Sequence, residues 1–330
     1  MKILYALQGT GNGHVARARE IIPFLTEHGT VDVLVSGTQV ELGLEHEVKF
    51  RLKGFGFVFG KSGGIDFLET WRRFDSLQFL KDIRNLPVRN YDLIINDFEP
   101  VAAWACRLYD KESVALSHQS AFLSPKTPKI KGLHWGRWVM KNYAPTSQRL
   151  SFHFRAYDED ISTPVIRTEI RNLKPENSGH YTVYLPAYGD EFILKQVCDI
   201  PETRWQIFSK HAKHFYAKDN AEVYPIDNLL FQRSLANSKG LLTGGGFEGP
   251  AEALFLGKKL LCVPMKHQYE QQCNALALEE MGVPIIWNVR EFAVKLRAWT
   301  ENHRTVSVDF PEETATIIEK VINKFAVKQF

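Results

Sequence analysis

Apolar residues fall in short runs along this chain, and glycine turns or stretches of helical spacing separate them. Ile3 to Leu7 is a compact apolar run ended by glycines, Val15 to Glu27 has helical spacing, and Val31 to Val35 and Leu93 to Asn96 are further buried-looking runs. Pro100 to Leu108 again has helical spacing, and Ser113 to Leu116 reads as a strand. Strand, glycine loop, helix, strand is the opening of a doubly wound parallel sheet.

The same order restarts in the second half. Tyr181 to Leu185, Trp205 to Phe208, Gly240 to Leu242 and Leu260 to Val263 read as strands; Glu191 to Val197, Leu229 to Ala236 and Gly249 to Phe255 read as the helices between them. The pattern predicts an α/β protein of two doubly wound, Rossmann-like domains, at 1–157 and 179–310. The polar, Pro-containing stretch 158–178 is the expected linker, and 311–330 the expected terminal helix, able to pack back on the first domain. There is no internal repeat of solenoid length and no low-complexity tract.

Length agrees with this division, since 330 residues exceed what one hydrophobic core usually holds. A hydrophobic fraction of 44% allows two sizeable cores, and a net charge of +3 is too small to argue for a nucleic-acid partner. Cys106, Cys198, Cys262 and Cys273 lie far apart with no C-x-x-C pair, which predicts reduced thiols and a cytoplasmic setting. The run Met1 to Leu7 is too short for a signal peptide, and no apolar segment approaches the roughly 18 residues needed to span a bilayer.

Candidate chemistry begins at Gly9-Thr10-Gly11-Asn12-Gly13. Glycines after a first parallel strand let backbone approach a ligand, and the helix that follows offers free N–H groups to an anion. Gly11, Gly13 and Ala16 meet the G-x-G-x-x-A spacing, but the second strand ends Val33-Leu-Val-Ser-Gly37 with no acid for a ribose, which counts against an NAD-dependent dehydrogenase. His14 follows the turn at the carboxyl edge of the sheet and is a candidate general base. Asp97 ends another buried run at the same edge and is its candidate partner, the alternative being a cap for the helix near Pro100. Glu99 is a nearby substitute for that partner role.

The second half repeats this physics. Thr243-Gly244-Gly245-Gly246 follows a short strand, and the helix from Phe247 presents an N-terminus suited to a diphosphate. Glu252 lies within that helix among apolar neighbours, where a carboxylate can accept from ribose hydroxyls. Past the next strand, Glu270, Gln271 and Asn274 stand at helical spacing and can bind a polyhydroxylated group.

Thr243 to Pro284 resembles the donor-binding region of GT-B glycosyltransferases of the UDP-glycosyltransferase and MurG-like type, and Gly9 to Arg17 looks like the MurG-like glycine loop with its histidine. The resemblance implies two domains facing across a cleft, an acceptor side first and a nucleotide-sugar side second. It implies that Gly244 to Phe247 take the diphosphate, Glu252 the ribose, and Glu270 with Gln271 the sugar hydroxyls, Asn274 matching the downstream asparagine. It also implies that His14 is the acceptor base and Asp97 its orienting carboxylate. The uracil-stacking tryptophan of the family is missing; Tyr224 to Leu230 stands roughly in its place.

The expected reaction is therefore transfer of a sugar with inversion from a nucleoside diphosphate, UDP favoured, with no metal and no cofactor. A nucleotide-sugar epimerase and a non-catalytic nucleotide-sugar-binding protein are the alternatives on the same fold. Asp158-Glu159-Asp160 has the D-x-D form of a metal site, but it falls in the expected linker. The acceptor is a glycan, lipid or small molecule. The stretch 126–155 carries Lys126, Lys129, Lys131, Arg137, Lys141, Arg149 and Arg155 among Trp135, Trp138 and Tyr143, a pattern suited to peripheral contact with the inner face of a membrane. Phe55 to Phe79 is expected to help shape the acceptor cleft, and its Gly60-Lys-Ser-Gly-Gly64 lacks P-loop spacing.

Overall fold

The computed structural model describes residues 1–9, 12–37, 44, 46–56, 75–132 and 135–326. The first half runs β1 (Lys2–Gln8), α1 (Asn12–Thr26), β2 (Thr30–Ser36), β3 (Val48–Leu52), α2 (Ser76–Asn85), β4 (Leu93–Asp97), α3 (Pro100–Leu108), β5 (Val114–Ser117), α4 (His118–Ala121), α5 (Trp135–Asn142), β6 (Gln148–Phe152) and β7 (Ile161–Ser162). These strands form one parallel sheet in the order β3-β2-β1-β4-β5-β6-β7. Strand order reverses between β1 and β4, so the glycine turn after β1 and Asp97 at the end of β4 flank the switch point where such sheets bind ligands.

The alternation within β1 explains its position. Ile3, Tyr5 and Leu7 pack with Val15, Ala18, Ile21 and Ile22 of α1, while Leu4 and Ala6 pack with Ile83, Val101 and Ala102 on the other face. Each large aliphatic side chain buried in this way contributes about 1.5–3 kcal/mol, enough to hold the strand in the middle of the sheet.

The second half runs α6 (Thr168–Arg171), β8 (His180–Tyr184), α7 (Asp190–Val197), β9 (Arg204–Ser209), β10 (Tyr216–Lys218), β11 (Ala221–Pro225), α8 (Asn228–Asn237), β12 (Gly240–Gly244), α9 (Glu248–Phe255), β13 (Lys259–Val263), α10 (Tyr269–Glu280), α11 (Phe292–Glu301) and α12 (Thr314–Val321). Its sheet has the order β10-β11-β9-β8-β12-β13, antiparallel only at the β10 edge. The expected linker is not all connection. Ser151 N–H donates to the Asp160 carbonyl and His153 N–H to that of Ser162, so β7 completes the first sheet from within 158–178. α12 returns to lie against α1, and its Ile317, Ile318 and Val321 belong to one apolar cluster with residues of both sheets.

Cys106, Cys262 and Cys273 are buried free thiols and Cys198 is partly exposed. Among the described residues no helix is long and apolar enough to cross a membrane.

Candidate active site

The turn after β4 decides where Asp97 points. The Asn96 side chain donates to the Glu99 carbonyl at 2.7 Å and accepts from the Glu99 N–H at 2.8 Å, and Phe98 between them takes φ 57°. Glu99 then caps α3 with both oxygens, accepting from the N–H groups of Val101 and Ala102 at 2.8 and 2.6 Å. Capping therefore falls to Glu99, which is not the partner of His14, and Asp97 is free to face α1.

There Asp97 accepts from His14 Nδ1 at 2.9 Å and from Arg17 Nη2 at 2.8 Å and Nε at 3.1 Å. Burial alone would raise the Asp97 carboxyl, but the Arg17 guanidinium and the His14 ring outweigh it and hold it below the usual carboxylate range. An ionised Asp97 draws the ring proton to Nδ1 and leaves the Nε2 lone pair to accept a proton. Arg17 stands one turn after His14 on the same face of α1, and its Nη1 reaches Glu248 of the second half at 2.6 Å. Burial pushes the Glu248 carboxyl up to about 7, even with Arg17 beside it.

On the facing side β12 delivers the glycine turn to the first turn of α9. A side chain at Gly245 would put its Cβ 2.6 Å from the Gln271 carbonyl oxygen, so only glycine admits this close approach of α10. A Cβ at Gly246 would meet nothing within 4 Å. No side chain caps α9, whose N-cap is Phe247, so its first N–H groups keep their capacity for an anion. Gln271 Oε1 accepts from the N–H groups of Gly245 at 3.2 Å and Met265 at 3.1 Å, which ties α10 to the turn and leaves Nε2 as donor. Glu270 accepts from Gln119 Nε2 at 3.3 Å, and burial raises its carboxyl.

Two predicted donor contacts already have protein partners. Asn274 donates to the Gly245 carbonyl at 3.0 Å, and its Oδ1 lies 2.7 Å from His118 Nε2. With a bond at each end of its amide, Asn274 braces the glycine turn from behind. Glu252 is buried as expected, but Arg167 from the linker grips it with Nε at 2.6 Å and Nη2 at 2.9 Å. Burial raises the Glu252 carboxyl, with Arg167 opposing. A bidentate guanidinium uses about two of the four lone-pair sites of a carboxylate, so Glu252 keeps acceptor capacity but is no longer a free acid.

Arg17, Glu248, Arg167, His118 and Gln119 were not singled out from the sequence. The His118 ring stacks on Phe247 at 3.7 Å and 8°, joining the two halves beside the glycine turn. Burial lowers His118 to about 3, so the ring is neutral and its single N–H serves either the Phe152 carbonyl at 2.9 Å or Asn274. Gly13 makes room for the other half, since a Cβ there would lie 3.0 Å from Glu248 Cγ. Gly9 N–H donates to the Ser36 carbonyl at 2.6 Å and Asn12 opens α1, while Thr10 and Gly11 lie outside the described residues.

The D-x-D carboxylates are held by lysines: Lys126 donates to Asp158 at 2.7 Å, and Lys320 and Lys324 bond Asp160 at 3.0 and 3.1 Å. In the basic and aromatic stretch Tyr143 is buried, lies tilted against Phe98 with ring centroids 4.8 Å apart, and donates to the Phe55 carbonyl. Trp135 and Trp138 stack at 4.7 Å and are 55% and 56% exposed. Most of Phe55 to Phe79, including Gly60 to Gly64, lies outside the described residues.

A family model described as glycosyl transferase family 1 matches residues 1–298. No curated protein matches the chain. Among solved structures, MurG from Acinetobacter baumannii is 14% identical over 99% of this chain and 98% of its own, with a TM-score of 0.58. A UDP-glucosyltransferase from Polygonum tinctorium is 13% identical over 98% and 94%, with a TM-score of 0.59, and the spinosyn rhamnosyltransferase SpnG, solved with thymidine diphosphate, is 13% identical over 99% and 96%, with a TM-score of 0.56. Such identities show a shared fold, and that fold, two parallel-sheet domains, is GT-B.

Proposed function

The chain belongs to glycosyl transferase family 1, and from that premise we propose that it moves a sugar, with inversion and without a metal, from a nucleoside diphosphate to an acceptor hydroxyl. The observation that carries this reading is the His14–Asp97 pair at 2.9 Å, set opposite an uncapped helix N-terminus through the Arg17–Glu248 contact.

In the proposed reaction His14 Nε2 takes the proton of the acceptor hydroxyl as its oxygen bonds to the anomeric carbon. The bond from that carbon to the diphosphate oxygen breaks on the opposite face, and its electron pair leaves with the diphosphate. The first N–H groups of α9 and the turn Gly244 to Phe247 receive that charge, which is the work a metal would otherwise do. Glu270 and the Nε2 of Gln271 take the sugar hydroxyls, and Glu252 shares its remaining lone pairs with the ribose. UDP is the favoured nucleotide: one structural neighbour is a UDP-glucosyltransferase, while another was solved with thymidine diphosphate. Phe98 and Tyr143 beside Asp97 offer an aromatic wall to the acceptor.

Calorimetry with UDP, GDP, dTDP and NAD, with and without EDTA, tests the donor half. One nucleoside diphosphate binding regardless of chelator, and weakened by ~1–3 kcal/mol in Glu252→Gln, is the expected result. Binding of NAD alone, or of nothing, would remove the donor assignment. NMR of the anomeric configuration of the product tests inversion.

We also infer contact with an anionic membrane surface through α5, where exposed Trp135 and Trp138 stand among Arg137 and Lys141. Flotation with phosphatidylglycerol vesicles should exceed that with phosphatidylcholine and fall in Trp135→Ala/Trp138→Ala; equal flotation of variant and parent would end this part of the reading.

A further inference from the structure

A cavity opens at the far edge of the donor-side sheet, at the amino ends of its strands, away from the glycine turn at their carboxyl ends. It has a volume of 390 Å³ and is lined by Asn177, Tyr181, Lys239, Lys258, Lys259 and His303, among others. Three lysines and a histidine thus converge on one space, and no carboxylate lines it.

Two of these lysines are buried without an ion-pair partner. Lys258 Nζ donates to the carbonyls of Glu176 at 2.6 Å and Ser238 at 3.0 Å; Lys259 Nζ donates to the Tyr181 hydroxyl at 3.0 Å and the Trp299 carbonyl at 2.5 Å. Each is 6% exposed. Neutral oxygens hold the two ammonium groups in place but do not cancel their charge, and a buried charge without a counter-charge is costly. Lys239 and His303 are exposed at the rim. The Glu176 carboxylate offsets part of the charge on Lys258 but does not line the cavity.

Burial pushes Lys259 down to about 8, with Lys239 adding to the effect, and lowers Lys258 as well. A bound anion would supply the missing counter-charge, and the volume is that of a small-molecule site. A turn from α9 to β13, with Gly257 at φ 67°, sets Lys258 and Lys259 side by side at this edge, and both residues line the same cavity.

We propose that this cavity binds a small phosphate-bearing molecule, a phosphomonoester or diphosphate, through Lys239, Lys258, Lys259 and His303, separately from the sugar donor. Two sources share that chemistry, a free phosphorylated metabolite and the phosphate head of a lipid.

Calorimetry of inorganic pyrophosphate into the full chain saturated with UDP tests the site, because the donor turn is then filled. One further equivalent should bind, weakened about tenfold or more in Lys239→Ala/His303→Ala, whose two exposed side chains carry no part of the core. No binding beyond the first site, or equal affinity in the double variant, would overturn the proposal. If UDP does not bind, pyrophosphate is titrated into the free protein, and loss of its binding in Lys239→Ala/His303→Ala still identifies this cavity while the donor assignment falls by itself. Competition by glycerol 3-phosphate in solution, set against phosphatidic acid vesicles, separates the two sources.

Discussion

Asp97 serves two cations, and they place different demands on it. His14 needs it for orientation, whereas Arg17, with its side chain 3% exposed, needs it as a counter-charge. His14→Gln should lower kcat ~10²–10⁴-fold and cost only about 1 kcal/mol of stability, the worth of one hydrogen bond. Asp97→Asn should lower kcat as much but destabilise by ~3–5 kcal/mol, because the Arg17 guanidinium stays buried without that carboxylate. Steady-state rates and urea titrations of both variants separate the roles. Equal stabilities would mean that Glu248 alone neutralises Arg17. Both members of the pair were readable in the sequence, because each follows the end of an apolar run by a short fixed step. Arg17 was readable in principle, one helical turn beyond His14. Arg167 was not, since it follows no apolar run or glycine turn and sits in the stretch expected to be a linker.

At the scale of single elements, helix α3 depends on a cap that also titrates. Burial raises Glu99 to about 7, its two backbone hydrogen bonds opposing, against an ordinary value of ~4.3. Below that ordinary value the group is protonated whether the chain is folded or not, and its contribution to stability is complete. As pH rises through 7 the native state is forced to release a proton that the unfolded chain gave up earlier, so the contribution is lost. The loss is on the order of 3 kcal/mol between pH 4 and 8. Urea titrations should show the wild type falling more steeply over that range than Glu99→Gln; parallel slopes would place the Glu99 proton elsewhere. Element legibility follows from burial. β1, β4, β12 and β13 are covered on both faces and read as unbroken apolar runs. β3 alternates between partly buried and exposed residues, and β7 is two residues held by its ladder to β6, so neither left an apolar run to find.

For the whole molecule the question is what keeps two sheets facing one another. One apolar cluster spans both, and polar ties cross beside it: Arg17 to Glu248, Gln119 to Glu270, and Thr168 of α6 to Glu20 of α1 at 2.7 Å. Arg167 stands at the junction, its guanidinium on Glu252 of the second half and also 3.3 Å from Asn228 Oδ1. A ribose that uses Glu252 must therefore share it with the residue that anchors the linker. Coulomb attraction and desolvation oppose each other in this pair, and for buried pairs the two nearly cancel, whereas a lone buried charge does not. Arg167→Met should cost ~3–5 kcal/mol, Glu252→Leu a similar amount, and the double variant much less than their sum, a coupling that a double-mutant cycle reads directly. Donor binding distinguishes anchoring from simple obstruction. If Arg167 only blocked the ribose, Arg167→Met would tighten nucleotide binding; if it holds Glu252 in place, affinity falls in both single variants, and a stable double variant still binds weakly. The bidentate geometry favours the second outcome, because a carboxylate fixed on two bonds presents its outer lone pairs in one direction to whatever enters beside α9.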